Sequence, residues 1–273
     1  MDIRDLRAFA AKQRGGDAKN PTFQQTMNGP DVEEYITAMK LEVDTLVTQR
    51  TWDPVPRVSG MNVLKGTWAF TLKRLPDGTA YRYKARFSAR GNLQKEGVDF
   101  FETYAPVVQW STICLLLTTV LSEGWLTRQV DYTNAFFQAE LKEEVYMEYP
   151  CMFGPKLDLI FLKLRKSLYG LRQAPRTFFE KLKAELEERG WQQSVIDPCP
   201  FLKKGLICDV YVDDTIFAGA DVDALERKIT ALGISSTEQR HTFYFAMKVQ
   251  LVHFLEFKSK RLARVHFNRL RRA

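Results

Sequence analysis

The residues best placed to do chemistry are acidic and sit in two short stretches. Tyr211-Val212-Asp213-Asp214 lies between the apolar runs Leu206-Ile207-Cys208 and Thr215-Ile216-Phe217-Ala218-Gly219. Apolar and β-branched residues on both sides of an acidic pair are the pattern of a tight β-hairpin with a charged tip. Adjacent carboxylates repel unless a cation sits between them, and carboxylate oxygens favour a hard divalent ion such as Mg²⁺. Asp is also a common turn residue, so on the tetrapeptide alone a solvated turn is the commoner reading. Earlier in the chain, Leu126-Thr127-Arg128-Gln129-Val130-Asp131 reads as a strand ending in a carboxylate. A lone Asp there is a cap or turn residue, and it gains a metal role only where the fold sets it beside Asp213 and Asp214.

A second chemistry is cationic. From Gly66 the period is two, with Trp68, Phe70 and Leu72 alternating with Ala69, Thr71 and Lys73. Pro76-Asp77-Gly78 supplies a turn, after which Tyr81, Tyr83, Ala85 and Phe87 alternate with Arg82, Lys84, Arg86 and Ser88. This predicts a β-hairpin with one apolar face and one cationic row, Lys73 standing across the pair. Such a row is either a solvated edge or a grip for triphosphate or nucleic-acid phosphates.

The elements that must position these groups are legible by pattern. Residues 1–30 carry no apolar period and read as a mostly disordered leader. Asp31 and Glu34 at capping-box spacing open a helix bearing Val32, Tyr35, Ile36, Met39, Val43, Leu46 and Val47. A short apolar helix follows over Leu115–Leu121, which Gly124 terminates. Leu168-Tyr169-Gly170-Leu171-Arg172-Gln173-Ala174-Pro175 is a loop leading into a helix with Phe178, Phe179, Leu182 and Leu186, ended by Gly190. After the acidic hairpin, Asp221 caps a helix carrying Val222, Leu225, Ile229 and Leu232.

With 273 residues, 45% of them hydrophobic, the chain is able to bury one large core or two small ones. It has no apolar run of about 18 residues and so no membrane span. Its charged start does not read as a secretory signal. Four cysteines without a CxxC pair, and three histidines, argue against zinc and for a reduced intracellular compartment. The formal charge is +7, and Lys258–Ala273 alone holds seven basic and no acidic residues. The 33 basic residues that remain equal the 33 acidic ones, so residues 1–257 are neutral. Any nucleic-acid contact by the body of the chain therefore rests on local patches.

Taken in order, these stretches resemble the reverse transcriptase domain of Ty1/copia-type LTR retrotransposons. The likeness runs through Glu34-Tyr35 to Thr51-Trp52, Lys73–Gly78, Arg82-Tyr83-Lys84-Ala85-Arg86, Ala89-Arg90-Gly91 and Glu102-Thr103-Tyr104-Ala105-Pro106-Val107-Val108. It continues through Gln129-Val130-Asp131, Asn134-Ala135-Phe136, Glu143–Met147, Lys166–Arg176 and Tyr211–Asp214, covering roughly residues 31–220.

The resemblance implies an α+β, right-hand polymerase fold of fingers and palm, with an antiparallel palm sheet backed by helices. It implies an RNA-directed DNA polymerase in which Asp131, Asp213 and Asp214 are catalytic. With the Tyr132 carbonyl they would hold two Mg²⁺ ions, Mn²⁺ also serving, for nucleotidyl transfer to a primer 3′-hydroxyl. Lys73, Lys84, Tyr132, Phe136, Tyr169 and Gly170 would bind the dNTP, with Phe136 under the deoxyribose. Expected partners are an RNA template, a DNA primer and dNTPs, together with integrase and ribonuclease H where the element is intact. The expected location is cytoplasmic, in a virus-like particle, or nuclear. Residues 221–250 read as a diverged palm end with a primer grip at Phe245 and Ala246, and 251–273 as a basic divergent tail. No thumb or ribonuclease H is recognisable after Val249. The alternative is a catalytically inactive retroelement remnant with residual nucleic-acid binding. Two departures from the family pattern stand out, Asp209 at a normally apolar strand position and Cys151-Met152 near a turn.

Overall fold

A computed structural model describes residues 19–57, 59–132, 134–154, 160–212, 214–231 and 236–239. For Asp131, Val222, Ala231 and residues 236–239 it places the backbone alone. Asp213, Phe245, Ala246 and the basic tail lie outside the described residues. In chain order the elements are α1 (Phe23–Asn28), α2 (Val32–Thr48), β1 (Trp52–Pro56), β2 (Val63–Leu64), β3 (Gly66–Arg74) and β4 (Ala80–Ala89). They continue with α3 (Trp110–Ser122), β5 (Leu126–Tyr132), β6 (Tyr146–Met147), β7 (Ile160–Leu164), α4 (Ala174–Glu188), β8 (Gln192–Gln193) and β9 (Pro200–Lys203). Last come β10 (Leu206–Tyr211), β11 (Asp214–Gly219), α5 (Val222–Ala231) and β12 (Ser236–Gln239). The fold is mixed α+β, with several sheets and few helices. Among the described residues no helix is long and apolar enough to cross a membrane.

The chain divides into two compact units, one of residues up to Pro106 with Asn134–Leu182, the other of Val107–Thr133 with residues from Lys183 onward. In the first unit, α2 buries Tyr35, Met39, Val43 and Leu46, the one stripe that its helical spacing aligns. Tyr35 meets Phe70 and Tyr83 edge-on at 5.2 and 5.0 Å, locking α2 to the β3–β4 hairpin. Asp31 is the N-cap residue as expected, yet its side chain makes no capping bond. A four-stranded sheet in the order β1-β7-β6-β2 completes this unit's core.

Helix α1 differs from the reading of residues 1–30 as a disordered leader. Thr22 and Gln25 form a reciprocal capping box, and Phe23 and Met27, one turn apart, are buried. The Leu72 amide also donates to the Lys19 carbonyl at 2.8 Å. A polar composition hid a single turn of apolar spacing.

The second unit is built on a sheet in the order β12-β5-β11-β10-β9-β8. Leu116 and Val120 of α3 pack on Ala218, with Trp125, Ile207 and Ile216 alongside. On the β11 residue that alternates with these, Phe217 meets Trp191 at 5.9 Å. Helix α3 begins at Trp110, five residues before the expected Leu115. The cause is distant in sequence: the Asp197 carboxylate accepts from the Gln109 amide at 2.9 Å and the Thr112 hydroxyl at 2.7 Å, satisfying a helix start that carries no local cap. Asp221 caps α5 as its position predicts, accepting from the Ala224 amide at 3.0 Å.

Candidate active site

In the second unit, antiparallel register sets Asp214 of β11 directly opposite Asp131 of β5. Directly opposed residues of such a pair lie about 4.5–5.5 Å apart at Cα. The sequence separates these two by more than eighty positions, and pairing of β5 with β11 removes that separation. Gln129, two residues before Asp131, donates from Nε2 to Asp214 Oδ1 at 3.2 Å, which fixes the carboxylate's orientation.

The turn between β10 and β11 passes through Val212 at φ +54°. A β-branched residue in the left-handed region is strained, and such strain gathers at functional turns. Tyr132 faces away from this acidic end. Burial pushes its hydroxyl far above the usual tyrosine range, and Cys208 adds to the rise. Its side chain is therefore structural, which leaves its carbonyl for any ligand role.

A hard divalent cation suits the carboxylates at the β5–β11 end. Among the described residues no group of three or more His, Cys, Asp or Glu comes together as a metal site. Asp213 is outside them, and of Asp131 only the backbone is placed.

The remaining sequence-selected residues lie in the first unit. Register pairs Lys73 with Arg82, Thr71 with Lys84 and Ala69 with Arg86, so all four cations share one face of the hairpin. Lys84 is half-buried, and its ammonium is held below the usual lysine range by burial and then by Arg86, Lys73 and Arg82. Glu42 of α2 faces the row. Burial raises its carboxyl, while the Phe87 amide, Arg86 and Lys84 pull it back. An anion laid on this face relieves the crowding of positive charge.

Phe136 meets Tyr169 edge-on at 5.0 Å, just after Asn134 turns the chain at φ +55°. Asn is one of the few residues that accept that conformation readily. The Tyr169 carbonyl accepts from the Ala89 amide at 2.7 Å. A Cβ on Gly170 would meet the Ala89 carbonyl at 2.1 Å, so only glycine permits the approach. Sequence reading left Arg86 in the general row, yet its guanidinium sits over the Tyr169 ring at 5.2 Å. Its signal was no more than its strand parity with Lys84.

One unit of this mixed α+β protein carries aspartates on paired antiparallel strands, and the other a cationic hairpin beside a glycine-bearing loop. The family described as reverse transcriptase (RNA-dependent DNA polymerase) matches residues 49–234, and the chain belongs to that family. Over 236 residues it is 34% identical to the Retrovirus-related Pol polyprotein from transposon RE2 of Arabidopsis thaliana, covering 84% of this chain and 16% of that protein. It is 34% identical over 212 residues to that from transposon TNT 1-94 of Nicotiana tabacum, covering 75% and 16%. To the Transposon Ty1-ER2 Gag-Pol polyprotein of Saccharomyces cerevisiae it is 32% identical over 217 residues, covering 73% and 11%. These relatives are Ty1/copia-type Pol polyproteins, of which the chain spans a small part.

Proposed function

We propose that this chain is an RNA-directed DNA polymerase, extending a DNA primer on an RNA template with dNTPs alongside the other parts of a Pol polyprotein. The second unit would be the palm and the first the fingers. The observation that carries the reading is the β5–β11 register, which puts positions 131 and 214 opposite each other where β10 turns into β11.

Asp131, Asp213, Asp214 and the Tyr132 carbonyl are the groups that would hold two Mg²⁺ ions. When bound, these supply charge neutralisation at the triphosphate and a more acidic primer hydroxyl. Gln129 orients Asp214 through its amide. Lys84, backed by Lys73 and the Tyr169-stacked Arg86, takes the triphosphate charge. Phe136, held upright against Tyr169, presents its ring to the sugar, while Tyr169 and Gly170 give the pocket a rigid backbone wall.

The test is single-nucleotide extension of a DNA primer annealed to RNA, with Mg²⁺, comparing the chain with its Asp214→Asn variant. A loss of about a hundredfold or more in the variant is expected, the scale on which a charge-stabilising group acts in catalysis. Equal rates from the two, or none from either in folded protein, overturn the polymerase reading and leave a nucleic-acid-binding remnant.

A further inference from the structure

The loop bearing Tyr169 and Gly170 is held from beneath by a buried polar splint. Gln94, Asp99 and Gln173 are 7%, 1% and 1% exposed, and none of them belongs to the carboxylate end or the cationic row. Gln173 Nε2 donates to the Asp99 carbonyl at 2.8 Å. Gln94 Nε2 donates to Gln173 Oε1 at 2.9 Å and to the Asp99 carbonyl at 3.4 Å. Gln94 Oε1 accepts from the Arg172 amide at 2.8 Å. Arg172 in turn donates from Nε to the Gly91 carbonyl at 3.0 Å and lays its guanidinium over Phe100 at 5.3 Å. The Asp99 carboxylate ties its own segment down, accepting from the Lys95 amide at 2.7 Å.

We propose that Gln173, acting with Gln94, is a positioning residue that sets the Tyr169-Gly170 backbone against Ala89 and Gly91, and through it the shape of the nucleotide pocket. The clearance there leaves little freedom. A Cβ on Gly91 would lie 2.1 Å from the Gly170 carbonyl, and one on Gly170 equally close to that of Ala89. A shift of the loop by a fraction of an ångström is therefore felt at once on both strands of contact. The Asp99 carbonyl only accepts, so Gln173 must present its amide nitrogen. Carbonyl oxygen and carboxylate oxygen in the same place would repel, and Gln173→Glu replaces the donor with an acceptor at almost constant volume.

The inference rests on the polymerase reading for its nucleotide part, and two measurements separate the two. Hydrogen exchange at the Ala89 and Arg172 amides reads the splint alone. In Gln173→Glu, and more mildly in Gln173→Met, exchange of both amides should accelerate about tenfold or more, while the β10–β11 amides stay unchanged. In primer extension, KM for the dNTP should rise about tenfold with kcat within a few-fold, as expected where ångström-scale misplacement spoils binding more than chemistry. Unchanged exchange in the folded variants overturns the inference, and so does faster exchange with an unchanged KM. Accelerated exchange in a protein whose wild type incorporates no nucleotide overturns the polymerase reading and with it the pocket assignment. Should Gln173→Glu fail to fold, Gln173→Met carries both measurements.

Discussion

Asp209 is where a single side chain runs against its surroundings. It is 4% exposed, and its Oδ1 finds no hydrogen-bond partner among the described residues. Opposite Ile216, it shares a sheet face with Asp214, but the charge that presses on it is Asp197's. Burial, and then Asp197, push its pKa up to about 7. Asp197 itself is raised by burial, yet bonds from Thr112, Gln109 and Cys199 leave it below the usual carboxylate range. The neighbouring Cys199 thiol, pushed up to about 12 by burial and the two aspartates, stays protonated throughout. An acid with a raised folded pKa binds its proton more tightly in the fold than in the unfolded chain. Its cost is therefore absent below about pH 4, grows by about 1.4 kcal/mol per unit, and levels off above about pH 7. Asp209→Val should stabilise the second unit by about 2–4 kcal/mol at pH 8, with a much smaller gain at pH 4–5. Urea unfolding at the two pH values checks this, and a gain that does not depend on pH would overturn the assignment. The sequence marked Asp209 as misplaced, but Asp197 as its adversary needed the fold.

At the scale of elements, the close passage of the Gly91 turn beneath Gly170 makes a sharper demand than either strand. Both are approached by backbone carbonyls at distances no Cβ tolerates, and backbone, unlike the end of a long side chain, has nowhere to go. Gly91→Ala should cost about 2–3 kcal/mol, read as a lower urea midpoint at unchanged slope. A variant as stable as the parent would show the approach to be looser than drawn. The β3–β4 hairpin, by contrast, was legible outright, since its period of two and its Pro-Asp-Gly turn fixed both faces and put Lys73 opposite Arg82. Helix α4 and its Pro175 start were legible for the same local reason. What escaped was set by partners far along the chain. The early start of α3 depends on Asp197, α1 depends on the core that receives Phe23 and Met27, and the Gln94–Gln173 pair spans 79 positions. Local periodicity carries no record of such partners.

For the whole molecule, charge is distributed unevenly along the sequence. Residues 1–257 balance 33 basic against 33 acidic groups, so on the proposed reading any grip on phosphate rests on local features such as the Lys73–Arg86 face. Lys258–Ala273 holds seven basic and no acidic residues, a composition that on the proposed reading suits contact with any nucleic-acid backbone and no base in particular. The two contributions separate by their salt dependence. Each phosphate neutralised on a single strand adds about 0.7 to the slope of log K against log salt, and on a duplex about 0.9. If about half of the tail's cations engage, ending the chain at Phe257 should lower that slope by about 2–3 and weaken binding uniformly across sequences. Filter binding of an RNA–DNA primer duplex over a range of salt measures it. KM for the dNTP should remain within a few-fold of the full chain, because the cationic hairpin and the Tyr169 loop are untouched. An unchanged slope would mean that the tail does not reach the nucleic acid, and a large change in KM would tie it to the nucleotide pocket itself.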